Sequence, residues 1–174
     1  MNELIRYISG YILGFFIFIF LIPYGLYELS KIDPLIFAGY KEYLIFRLII
    51  SLPFSIVGLF FIIWSNLSLF FTGKGGPTDG FNIAVTPRTK TLVINGPYRF
   101  TRNPMVFGAF ALYFSIGLFL TSPICLLSLV IFFVLIINYL KITEEKRLLK
   151  DFGDDFTDYK SKVPMIFPDR PKIK

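Results

Sequence analysis

Hydrophobic positions fall into four long blocks, and the polar positions collect between and after them. Tyr7 to Tyr27, Tyr43 to Phe71, Pro104 to Leu120 and Ile124 to Leu140 are almost uninterrupted apolar runs. Runs of about twenty such residues match the hydrocarbon thickness of a bilayer, so they predict four transmembrane helices. The first run follows one basic residue, Arg6, but lacks a small-residue cleavage site; Pro23 and bulky aromatics predict a retained helix instead of a leader. The second carries Arg47, placed to snorkel to the near interface, and Pro53, which predicts a kink. Thr121-Ser122-Pro123 is a tight turn, so the last two runs should form an antiparallel hairpin. Asn103-Pro104 predicts its start, with Asn as cap and Pro where a missing N–H is harmless.

The predicted fold class is therefore an all-α integral membrane protein. One compact membrane domain is expected, with an N-terminal transmembrane helix pair (residues 1–71) and a second part (72–174) holding a loop, the hairpin and cytoplasmic C-terminal helices. The composition narrows the chemistry. Of 174 residues, 55% are hydrophobic, which leaves no room for a separate soluble catalytic domain. The chain has no histidine, so histidine general-base chemistry and histidine metal ligation are excluded. Its one cysteine, Cys125, lies inside an apolar run. That rules out a disulfide framework and a cysteine metal site, and disfavours a thiol nucleophile.

The net charge of +6 could suggest nucleic acid, but in so apolar a chain it points to loops meeting anionic membrane lipid. With four spans, the N-terminus, the loop from Thr72 to Asn103 and the tail from Lys141 share one side. That side carries Arg6, five loop residues (Lys74, Arg88, Lys90, Arg99, Arg102) and nine of the tail, against Lys31, Lys41 and Arg47 opposite. Fifteen basic residues against three predict a multi-pass protein of the cell membrane with both termini cytoplasmic.

Two segments on that side carry candidate chemistry. The first, GPYRFTRNPM, runs from Gly96 to Met105. The loop leading to it begins GKGGP, which is not a P-loop because no Gly-Lys-Ser/Thr follows at the required spacing. Thr91 to Ile94 reads as extended and Asn95-Gly96-Pro97 as a turn. Positive-inside clustering and helix capping account for Arg99, Arg102 and Asn103 one at a time. They do not account for the prolines, glycine and aromatics threaded among them, which make a rigid, aromatic-lined strip suited to a cofactor.

The second segment runs from Glu144 to Pro164. The last helix should continue to about Phe152, with Gly153 as its C-terminal cap and Asp154 or Asp155 starting another. At 100° per residue, Ile142, Leu148, Leu149 and Phe152 form an apolar arc, while Lys146, Arg147 and Lys150 lie away from it. Glu145 falls near the centre of that arc and Glu144 at its edge. An unpaired carboxylate buried there would cost several kcal/mol, so it needs a partner. That partner is either Arg99 or Arg102 in a salt bridge, or a cation or ribose hydroxyl of a cofactor. Asp151, Asp154, Asp155 and Asp158 read as a solvated face and caps, and Tyr159 as packing.

Taken in order, these residues resemble the isoprenylcysteine carboxyl methyltransferase superfamily, which is similar to the phospholipid N-methyltransferases. The matching pieces are Leu92-Val93, Gly96-Pro97-Tyr98, Arg102-Asn103-Pro104-Met105, the hairpin, Glu144-Glu145, Phe152-Gly153, Tyr159 and Val163-Pro164. They extend from about Thr72 to Pro168; the first two helices add only apolar character. The resemblance implies S-adenosylmethionine bound at the cytoplasmic mouth of the hairpin without a Rossmann domain. Lys90, Thr91, Leu92 and Val93 would contact the nucleoside by their backbone. Tyr98, Asn103, Pro104, Met105 and Val106 would line the methionine and ribose, and Glu144 would be the main acidic contact with Glu145 beside it. Arg99 and Arg102 are the candidates for the catalytic role of holding an anionic head group or fixing the loop.

The implied acceptor is membrane-embedded or lipid-like, a carboxylate or an amine head group, with membrane lipids as surroundings and neither nucleic acid nor metal involved. Asn103 stands where the prenylcysteine enzymes have histidine, and Val106 where tyrosine is usual. Leu140, with Lys141 adjacent, replaces the basic residue that holds the substrate carboxylate, which argues against a prenylated acceptor. Two rivals remain open: a sterol-reductase-like enzyme binding NADPH, and a non-catalytic membrane protein in which Glu145 is salt-bridged.

Overall fold

The apolar runs become helices, laid out here from the computed structural model, which describes residues 3–33, 43–74, 79–80, 83–84 and 89–170. Lys41, Arg88, the tail lysines at 172 and 174, and most of the GKGGP turn lie outside the described residues. Helix α1 (Glu3–Phe15) passes through a π-helical stretch, Phe16–Leu21, into α2 (Ile22–Ser30). Helix α3 (Leu44–Ser68) continues through Pro53 and ends in a π turn, Leu69–Gly73. The hairpin is α4 (Pro104–Phe119) and α5 (Pro123–Tyr139), and α5 runs through a third π turn, Leu140–Glu144, into α6 (Glu145–Lys162). Between α3 and α4 a minimal antiparallel ladder pairs β1 (Asp79–Gly80) with β2 (Ile83–Ala84).

The helical membrane fold is as the pattern predicts, with three long apolar helices and one shorter one. Ile8–Ser30, Leu44–Gly73 and Pro123–Lys162 are long and apolar enough to cross a membrane. Helix α4 is a shorter apolar helix of 16 residues, about 24 Å long at the α-helical rise and below the roughly 30 Å of a hydrocarbon core. Pro104 fixes its start, and Thr121, in the left-handed region at φ 51°, turns the chain just after its end.

Helix α4 is the centre of the packing. Helix α3 lies along it on a seam of small residues. A Cβ on Gly58 would sit 2.7 Å from the Gly108 carbonyl oxygen, and one on Gly108 would sit 2.8 Å from the Gly58 oxygen. Ser55 donates to Ser115 across the seam at 2.7 Å. In hydrocarbon, burying apolar surface gives helices little reason to associate, so backbone approach and dispersion hold this pair. On another side of α4, Leu26 of α2 packs with Tyr113, Cys125 and Leu129.

The far end of the hairpin is closed by polar bonds. Ser122 accepts from the Cys125 amide at 3.1 Å, which caps α5. Asp33 accepts from the Ile124 amide at 3.2 Å. Arg47 does more than snorkel: its Nε donates to the Phe119 carbonyl at 2.5 Å, and its guanidinium lies 4.4 Å from the Phe119 ring centre. A cation at the last carbonyls of α4 has the favourable sign for the helix dipole.

Candidate functional site at the hairpin mouth

The loop strip is fastened to the end of α3. The Lys90 amide donates to the Gly73 carbonyl at 2.9 Å, and the Thr91 hydroxyl donates to the Thr72 carbonyl at 3.1 Å. Val93 is buried, while Leu92 and Ile94 pack against Phe156, Tyr159 and Val163 together with Leu148 and Phe152. Gly96 then opens a 3₁₀ turn, Gly96–Arg99, at φ 61°. Glycine is needed there twice, for the positive φ and because a Cβ would lie 2.7 Å from the Ser68 hydroxyl.

Asn103 occupies the N-cap position of α4 but does not cap it. Its backbone (φ −127°, ψ 60°) is away from the usual capping conformation, and no cap bond forms. Its side-chain amide instead donates to the Met165 carbonyl at 3.0 Å, and its backbone amide donates to the same oxygen at 3.1 Å. The Thr101 hydroxyl adds a third bond to that oxygen at 3.1 Å. Arg102 donates from its amide to Pro164 at 2.9 Å and from Nε to the Val163 carbonyl at 3.0 Å, and the Asp169 amide donates to Phe100 at 3.0 Å. Residues 163–169 thus form a strap across the strip. Sequence reasoning missed it, because a carbonyl acceptor leaves no side-chain signal.

The acidic pair splits into two roles. Glu145 points inward, its side chain 11% exposed, with its two oxygens on the Arg102 guanidinium and on Lys160 Nζ. Burial opposes its charge. The hydrogen bond from Lys160 and the field and hydrogen bond of Arg102 outweigh burial and hold the carboxyl below its ordinary value. Of the two partners left open by the sequence, a structural arginine is the one present. Glu144 instead accepts from Arg147 one turn on, at 2.6 Å.

Tyr98 lies within reach of the Glu144 charge. Burial raises the Tyr98 phenol well above the usual tyrosine range, and the charges of Tyr159 and Glu144 raise it further. Tyr159 donates to the Tyr98 carbonyl at 2.8 Å, and burial raises its phenol too. Both phenols therefore stay neutral at physiological pH.

The apolar arc needs a correction. Leu148 and Phe152 do face the core, but Ile142 is 63% exposed and Leu149 is exposed as well. Ile142 sits inside the π turn Leu140–Glu144, where a constant 100° step fails. Leu149 follows the turn in α6 with Leu148 and Phe152, and its exposure shows that the buried stripe there is narrower than the arc. Gly153 breaks the helix at φ 53°, ψ −124°, and the helix resumes at Asp154, as expected from the cap residues.

The mouth brings Arg102, Asn103 and Glu145 into one cluster, and Tyr98 near Glu144 beside it. Lys90, Thr91 and Leu92 lie apart, along a groove of about 450 Å³ whose other wall is Phe152, Asp155, Asp158 and Tyr159. Neither glutamate lines that groove. Asp155 and Asp158 are exposed, and Asp158 pairs with Lys162 at 2.5 Å, which fits a solvated face.

A family model described as phospholipid methyltransferase matches residues 46–155. The match begins inside α3, a helix that offered no motif, and stops before Tyr159 and Val163-Pro164. No curated protein matches the chain significantly. With well over half of its residues matched, from α3 through the hairpin and both glutamates, the chain belongs to the phospholipid methyltransferase family.

Proposed function

We propose that the chain transfers a methyl group from S-adenosylmethionine to a lipid-like acceptor at the cytoplasmic face of the cell membrane, with both termini on that side. The observation that carries this reading is that, inside the family match, half-buried Tyr98 lies within reach of the Glu144 charge, a few residues before the Asn103–Val106 start of α4 at the hairpin mouth. The chemistry of these groups fits the cofactor. A carboxylate near a neutral phenol favours a cationic neighbour, and the cofactor carries a sulfonium and an amine. Glu144, Tyr98 and Asn103 to Val106 would hold its methionine and ribose. The backbone of Lys90 to Val93 would meet the nucleoside along the groove. Bound there, the cofactor supplies an electrophilic methyl group.

The chain's own residues then position the acceptor and exclude water, which is what an in-line displacement requires. Glu145 is a positioning residue. Its carboxyl is held low, so it stays ionised and fixes Arg102 instead of accepting a proton near neutrality. A carboxylate acceptor needs no base; an amine acceptor must reach the mouth already deprotonated. Arg99, in the 3₁₀ turn, is the candidate for an anionic head group, and Arg102 holds strip, helix and strap together. The acceptor enters laterally from the bilayer, between the hairpin and the preceding helices.

The ion pair of Glu145 is also what a non-catalytic membrane protein predicts, and it supports a scaffold role for Glu145 under either reading. Glu144 separates the two. Purified protein incubated with methyl-labelled S-adenosylmethionine and a total lipid extract should move label into the lipid fraction, and Glu144→Gln should abolish the transfer. Label that stays with the cofactor across extracts of differing head-group composition would favour the non-catalytic reading.

A further inference from the structure

The strap carries one residue whose placement neither the strip nor the glutamates explain. Phe167 is 62% exposed, yet it is held on both sides, by the Met165 carbonyl with its three donors and by the Asp169 bond to Phe100. Its ring meets Phe107 of α4 edge-on at 6.3 Å and Phe133 of α5 at 5.9 Å. Below it, Phe110 stacks on Phe133 at 4.1 Å, and Phe114 meets Phe54 of α3 at 5.4 Å.

Phe107, Phe110 and Phe114 share one face of α4 by their spacing. Helices α3 and α5 both pack on α4, and among the described residues they form no comparable seam with each other. The shared face is therefore the floor of an apolar furrow between α3 and α5. The furrow is open to the membrane, and Phe167 closes its mouth end. Its upper end lies one helical turn from Asn103, whose carbonyl accepts from the Phe107 amide at 3.1 Å in the first turn of α4.

We infer that Phe167 is the acceptor-positioning residue: the furrow holds one acyl chain of a lipid acceptor, and Phe167 lies over that chain where it meets the head group. This rests on the methyltransferase reading. The occupant follows from the surroundings. At this depth the solvent is hydrocarbon, so a furrow lined by partly exposed rings is filled by an acyl chain, and the one-turn distance from its upper end to Asn103 puts that chain's head group at the mouth. A ring there sets how far the head group can sink, which fixes the depth of the nucleophile.

The test uses the full chain in nanodiscs containing a phosphatidylethanolamine with a diazirine on one acyl chain. Adducts are mapped after photolysis, and S-adenosylhomocysteine binding is measured in parallel. Labelling at Phe107, Phe110 and Phe133 is compared with labelling on the outer face of α5 at Leu127, Ile131 and Leu135. Phe167→Ala should lower furrow labelling about tenfold relative to the outer face, the factor expected for losing about 1.4 kcal/mol of contact. Phe167→Leu, which keeps apolar bulk on the strap, should retain most of it, and both variants should bind S-adenosylhomocysteine as the parent does. An unchanged furrow-to-outer ratio in Phe167→Ala would overturn the proposal and leave Phe167 an interfacial anchor. Absence of S-adenosylhomocysteine binding in the parent chain would instead sink the cofactor reading, whatever the labelling pattern.

Discussion

Along the α3–α4 seam, Gly58 and Gly108 bring two backbones into contact with little polar chemistry, whereas at the mouth the strip, α6 and the strap add a network of hydrogen bonds and ion pairs to the apolar cluster around Phe156. The first interface depends on shape, the second on charge as well. Only the second can be loosened by pH or by one polar substitution, and it lies where the proposed cofactor and acceptor would enter. The molecule thus sets an adjustable clamp on a rigid seam.

Substitutions can break the two separately. The largest effect is expected at the seam. Gly108→Val places a branched side chain against the Gly58 carbonyl and should destabilise the fold by about 3 kcal/mol. Thermal unfolding in detergent should show this as a large fall in midpoint, with the yield of monodisperse protein falling as well. At the mouth, Arg102→Ala removes the Glu145 pair and the bond to Val163. A loss of about 2 kcal/mol is expected, confined to the strap, because charged hydrogen bonds in a partly buried setting are lost. Hydrogen exchange should quicken at the Asn103 and Asp169 amides while α3 and α4 stay protected.

Acid should act on the same clamp. The folded pKa of Glu145 lies below its ordinary value, so its contribution is present above the ordinary value and is lost as pH falls through the lower, folded one. Strap exchange should therefore accelerate below about pH 4.5, and Glu145→Gln should remove that dependence. Tyr159→Phe deletes one hydrogen bond to Tyr98 and should cost about 1 kcal/mol at the mouth. Lys162→Ala removes only an exposed pair with Asp158 and should change stability by less than about 0.5 kcal/mol.

The hydrophobic pattern carried the helices, the hairpin and the Gly153 break, because burial in lipid and left-handed glycine geometry both leave marks on residue type. The inward turn of Glu145 was legible for the same reason, a carboxylate set among apolar residues. Three features were not legible. The π turn at Leu140–Glu144 has no residue signature, so the exposure of Ile142 was misplaced. The partner of Asn103 is the backbone oxygen of Met165, 62 positions away, and any residue at that position offers the same acceptor. The α3–α4 seam hinges on Gly58 and Gly108, one from each of two apolar runs, and only the crossing shows that these two touch.

The central claim is that the mouth binds S-adenosylmethionine through Glu144 beside Tyr98. Calorimetric titration of S-adenosylhomocysteine into the detergent-purified chain tests it most directly, with Glu144→Gln, Lys31→Ala and NADPH as the comparison arms. The account predicts saturable binding by the parent, weakened about tenfold or more in Glu144→Gln, unchanged in Lys31→Ala, whose exposed pair with Glu28 is remote from the mouth, and no binding of NADPH. Failure of the parent to bind S-adenosylhomocysteine, or binding indifferent to Glu144→Gln, would contradict it.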